Sequence, residues 1–171
     1  MTTRDLVTKW TAYTLALLPV WLLDSFLFSR FTVWGVHPVL LPLAAVAVAV
    51  LEGGYAGAGF GLAVGVLWDA VTPGAAGAII LLLAIVGFAA GLLAKYVLRQ
   101  DFLGCFICSA AALAVIDAGR VALRLLGGTT ADVEAMLSVA GREILWTMCF
   151  VPFIYLLFRW VFERVPKATV L

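Results

Sequence analysis

Seven ionisable side chains stand inside or at the edge of long apolar runs: Asp24, Asp69, Asp117, Arg120, Arg124, Arg142 and Glu143. A charge at membrane depth costs on the order of 3 kcal/mol on insertion scales, so such groups usually face the interior of a helix bundle and pair. Asp117, Arg120 and Arg124 follow an i, i+3, i+7 spacing that places all three on one helical face. Four acids and three arginines nearly balance. Two readings of this set stand open. It is a polar site open to the outer face, for a ligand or for a partner's helix, or it is a buried ion-pair network that fixes helix register.

Other chemistries have less behind them. Cys105 and Cys108 form a C-x-x-C with no second Cys or His pair, and two cysteines cannot complete a zinc site. Cys149 completes a set of three in apolar surroundings, which argues against a disulfide framework. His37, the only histidine, precedes Pro38 and reads as a solvated loop residue. No nucleophile–base pair, phosphate loop or HExxH occurs. Asp69 and Asp117 invite comparison with the intramembrane aspartyl dyad of lipoprotein signal peptidases. Those enzymes set their aspartates in Asn-containing motifs, and this chain has no asparagine. The expectation is a protein that is not an enzyme and uses no cofactor or metal.

The elements that must position these charges follow from composition. Hydrophobic residues make up 65% of the 171-residue chain and charged residues 12%, about half the globular norm. A soluble domain of this size lacks the interior to hide so much apolar side chain, whereas lipid solvates it. A net charge of +1 gives no footprint for nucleic acid. The first apolar run, Trp10 to Phe28, is too long for a signal-peptide core and reads as a retained span. The fold expected is all-α: one polytopic transmembrane domain over residues 1–171, a six-helix bundle. Its spans run about 10–28, 38–51, 54–70, 78–97, 102–126 and 138–162. The second and third are near the short limit of ~17 residues, so tilt or a re-entrant course is open to them. Pro19, Pro42 and Pro152 fall inside spans, where proline kinks a helix. Trp10, Trp21, Trp34, Trp68, Trp146 and Trp160 lie mostly near span ends, as an aromatic belt requires.

Lys and Arg set the orientation. Arg4, Lys9, Lys95, Arg99, Arg159, Arg164 and Lys167, seven of the 11 basic residues, fall on one side of a six-span chain. That side is the cytoplasm, with both termini inside, in a multi-pass layout. The acidic and arginine cluster then lies in the outer half of the bilayer.

At the third span, Gly53, Gly57, Gly61 and Gly65 stand four residues apart and Asp69 completes the series. On a helix this spacing makes a slanted ridge of bare backbone. Each interior Gly costs up to about 1 kcal/mol against Ala in a helix in water, but in a membrane the ridge lets another helix approach closely. The ridge is therefore a helix-packing or partner surface, and Asp69 at its outer rim is placed to cap or bond backbone N–H groups.

The run Gly61-Leu-Ala-Val-Gly65-Val-Leu-Trp-Asp69, followed by Gly74 and Gly77, resembles the central signature of the MreD family of rod shape-determining membrane proteins. Gly61, Gly65, Asp69 and Gly77 keep the family spacing, while Leu62 replaces the usual Phe. His37-Pro38 before an apolar run, Asp117 in the fifth span, and Pro152 with Arg159 in the last are similar as well. The resemblance implies a non-enzymatic component of the bacterial cell-elongation machinery in the cytoplasmic (inner) membrane. It implies an MreC-like single-span partner and, through it, the actin-like MreB filament, a class B penicillin-binding protein and a SEDS glycosyltransferase. A second family, the substrate-binding S-components of energy-coupling-factor vitamin transporters, shares the small six-span layout. It implies instead a vitamin pocket at the outer face.

Overall fold

The computed structural model describes residues 3–28, 36–71, 77–96, 102–126 and 133–164, and among them every element is helical. The helices are α1 (Thr3–Leu22), running on into a π-helical turn (Leu23–Phe28), α2 (Leu40–Glu52), α3 (Gly54–Val71), α4 (Ala78–Tyr96), α5 (Phe102–Leu126), α6 (Val133–Met148) and α7 (Val151–Arg164). Arg99, Lys167, Gly74 and Trp34 lie outside the described residues.

α2 is the axis of the bundle. Its sequence, LLPLAAVAVAVLE, has no polar face, and a helix apolar all round must be enclosed. Leu40 through Leu51 are all buried, and α2 touches α1, α3, α4, α5 and α7. Its 13 residues rise only about 20 Å, short of a bilayer core of about 30 Å. Pro42 sits in its first turn, where a missing N–H costs nothing, so it starts this helix instead of kinking it.

Gly53 alone separates α2 from α3. Its φ of +99° belongs to the region that glycine tolerates, and its N–H bonds Ala49 O at 2.9 Å. The chain folds back so sharply that a Cβ on Gly57 would lie 2.5 Å from Ala49 Cβ. Gly53 is thus the hinge of the corner and not a member of the ridge. Gly54 takes its place.

The ridge is occupied by α4. A Cβ added at Gly57 would meet Gly87 O at 2.5 Å, at Gly61 Leu83 O at 2.5 Å, and at Gly65 Ile80 Cα at 2.7 Å. The partners descend along α4 as α3 ascends, so the two helices are antiparallel. α4 returns the contact with glycines of its own: Gly87 and Gly91 press on the backbone of Gly57 and of Gly53–Gly54. Gly77, with φ +74°, is the turn that admits the chain to α4.

α4 (Ala78–Tyr96) and the Phe102–Leu123 stretch of α5 are long and apolar enough to cross a membrane. α6 and α7 together form a third candidate, bent by 47° at Cys149–Phe150. The expected single span over 138–162 is therefore two helices. Pro152 explains the break: its ring clashes with the carbonyl four residues back, on Met148, the last residue of α6. Large apolar side chains such as Leu15, Leu81, Leu103, Leu145 and Leu156 point outward around the bundle, a surface that lipid solvates and water does not. These features make the chain a helical membrane protein. Inside, Tyr13, Phe60 and Phe158 pack as a ring cluster with centroids 6.0–6.3 Å apart.

Candidate functional site

The charged residues gather at the two ends of α2. At its C-terminal end, α1 supplies Lys9 and Tyr13. The Lys9 ammonium donates to Glu52 Oε2 and the Tyr13 hydroxyl donates to Glu52 Oε1 at 2.7 Å. Glu52 holds a carboxylate against a helix C-terminus, which the helix dipole disfavours, and the Lys9 charge offsets it. This clamp was missed in the sequence, where Glu52 follows an unbroken apolar run and its partners lie 39 and 43 residues away.

At the N-terminal end, the residue preceding α2 is Val39, which cannot cap. Other segments cap it. Asp24 Oδ1, from the π-helical turn, accepts the Leu40 N–H at 3.0 Å, and Thr147 Oγ1, from α6, accepts the Val39 N–H at 3.1 Å. A carboxylate here also meets the favourable end of the helix dipole. Asp24 and His37 lie within electrostatic reach of Glu143, so the cap adjoins the next group of charges.

That group lies between α5 and α6. The Arg120 guanidinium, through Nη1, donates to Asp117 Oδ1 at 3.3 Å and to Glu143 Oε1 at 3.0 Å. Its carbon sits 5.4 Å from the ring centroid of Trp68, on α3. Trp68 is buried, so this tryptophan stacks beneath a cation instead of anchoring at an interface. The three charges open on a cleft of about 270 Å³, also lined by Val121, Val139 and Ala140.

The structure thus joins Asp24, Asp117, Arg120 and Glu143 from the predicted set. It leaves Arg142 exposed, and the Arg124 side chain falls outside the described residues. Asp69 stands at the end of α3 with Oδ1 buried and no hydrogen-bond partner among the described residues. Cys105 and Cys108 are buried on α5, with Cys108 Sγ donating to Ala90 O at 3.8 Å.

Chemically, one guanidinium shared by two carboxylates is a structural tie between α5 and α6. No family model matches the chain, and no curated protein or solved structure matches it.

Proposed function

We propose that this chain is a non-enzymatic component of a bacterial cell-elongation complex, an MreD-like protein that binds an MreC-like single-span partner and supports side-wall peptidoglycan synthesis. The observation that carries the reading is the use made of the residues on which the resemblance rests. Gly61 and Gly65 are where α4 backbone approaches α3 too closely for any side chain, and Gly77 turns the chain into α4 with a positive φ. The Gly61-x-x-x-Gly65 spacing therefore answers a packing requirement, as a family signature without catalytic residues would.

In this reading the bundle has six spans in the inner membrane and both termini in the cytoplasm. The Lys9–Glu52 clamp faces inward and the α5–α6 cleft faces outward. α3 and α4 consume the glycine ridge within the chain, so the partner's helix meets other faces of the bundle. Association with the MreB filament, a class B penicillin-binding protein and a SEDS glycosyltransferase follows through the partner. Depletion in a rod-shaped host tests the role: rounded cells are expected, and unchanged rods would contradict it.

The outward cleft favours a second reading, a vitamin-binding S-component. It differs in one measurable respect, since it requires tight binding of a vitamin by the chain alone.

A further inference from the structure

A groove runs down the bundle between α1 and α7, lined from Thr8 to Ala16 on one side and from Leu157 to Arg164 on the other, with a volume of about 440 Å³. The two helices are antiparallel. The chain passes from Tyr13, which bonds Glu52 at the C-terminal end of α2, on to Asp24 at the N-terminal end. The last two helices run the other way, from Thr147 at the N-terminal end of α2 to Phe158, which stacks on Tyr13. Thr8 and Arg164 therefore share one end of the groove. The small side chains of Ala12 and Ala16 leave the space, and Leu15 and Trp160 are exposed at its rim. The Arg164 end is charged and the rest is apolar. The Arg164 guanidinium carbon lies 3.8 Å from the centroid of the Trp160 ring, and no carboxylate among the described side chains pairs with it. The acids nearby are taken: Glu163 accepts from Arg159 at 2.9 Å, and Glu52 accepts from Lys9 and Tyr13. Tryptophan favours the headgroup level of a bilayer, so a cation resting on Trp160 stands at the depth of lipid phosphates, with the apolar groove at acyl depth.

We infer that the α1–α7 groove binds one anionic phospholipid, with its phosphate on the Arg164 guanidinium and an acyl chain laid along Ala12 and Ala16. Charge selects the head, because a guanidinium donates to phosphate oxygens in a planar fork. Size selects the tail. From Thr8 to Ala16 a helix rises about 12 Å, and over that length a partner's helix about 10 Å across displaces roughly 900 Å³. That is about twice the 440 Å³ of the groove, whereas a single file of methylenes is thinner. The site stands independently of the elongation-complex reading.

Native mass spectrometry tests this on the full chain, released from nanodiscs that hold equal amounts of anionic phosphatidylglycerol and net-neutral phosphatidylethanolamine. One phosphatidylglycerol should stay bound, in severalfold excess over phosphatidylethanolamine. Arg164→Gln should remove that preference, and Arg164→Lys should keep most of it. Lys95→Gln, which removes an exposed cation on α4 outside the groove, should leave the preference unchanged. Ala12→Leu, which fills the groove, should lower retention severalfold. Equal retention of the two lipids by the unaltered chain would overturn the proposal. A loss on Lys95→Gln as large as that on Arg164→Gln would overturn it too, since the effect would then be general attraction to basic residues. Retention that Ala12→Leu leaves intact would place the lipid elsewhere and contradict the site. A photo-crosslinker at Leu15 should label lipid in native membranes, and cross-linking to a protein chain in its place would overturn the proposal and give the groove to a partner's helix.

Discussion

Asp24 and Asp117 carry the same side chain and do different work. Asp24 caps a helix that has no cap of its own, whereas Asp117 ties two helices through an arginine and keeps one oxygen free. Asp24→Ala should therefore destabilise the protein by about 0.5–2 kcal/mol, the usual loss for an N-cap, and Asp24→Asn should retain most of the stability. Thermal unfolding of the purified protein in detergent reads both. Asp117 and Arg120 should couple by about 0.5–3 kcal/mol in a double-mutant cycle, because removing either alone leaves a charge without its match. A cycle that closes with no coupling would remove the pairing from the account. At the opposite end of α2, Tyr13→Phe should cost about 0.5–1.5 kcal/mol, since Glu52 then keeps only Lys9.

At the scale of the helix, glycine positions on α3 separate close approach from open space. A Cβ on Gly61 would strike the Leu83 carbonyl at 2.5 Å, whereas one on Gly59 would meet nothing within 4 Å. Gly61→Ala should destabilise the bundle by about 1–3 kcal/mol through overpacking. Gly59→Ala should be neutral or stabilising by up to about 1 kcal/mol, because Ala is the better helix former. Equal effects of the two changes would contradict an α3–α4 seam. Much of this seam was legible in the sequence, because four-residue spacing of glycine has few uses other than helix contact. Gly53 was counted into the ridge because it keeps the four-residue spacing, although the expected span already began at residue 54, where α3 starts. Only a φ of +99° marks it as the corner. The bend in the last span was half legible: Pro152 announced a distortion, but the break falls upstream of it at Cys149–Phe150, just past the carbonyl its ring displaces. The partners of Glu52 and the caps on α2 were not legible, because they join residues 16 to 108 positions apart.

For the whole molecule, a buried α2 is held at both ends by polar side chains from α1, the π-helical turn and α6. Apolar composition was enough to read a helical membrane protein, and the Lys and Arg distribution yields the inside-out assignment proposed for it. Cysteine labelling near positions 2 and 170 should find both ends on the cytoplasmic side, and periplasmic access to either would contradict six spans. The proposed role rests on association instead of turnover. Affinity capture of the tagged full chain from membranes of a rod-shaped host, with partners identified by mass spectrometry and vitamin binding assayed on the same preparation, tests that most directly. An MreC-like single-span protein in the captured complex, with no tight vitamin binding, is the expected result. Tight binding of a vitamin with no MreC-like protein present would contradict it.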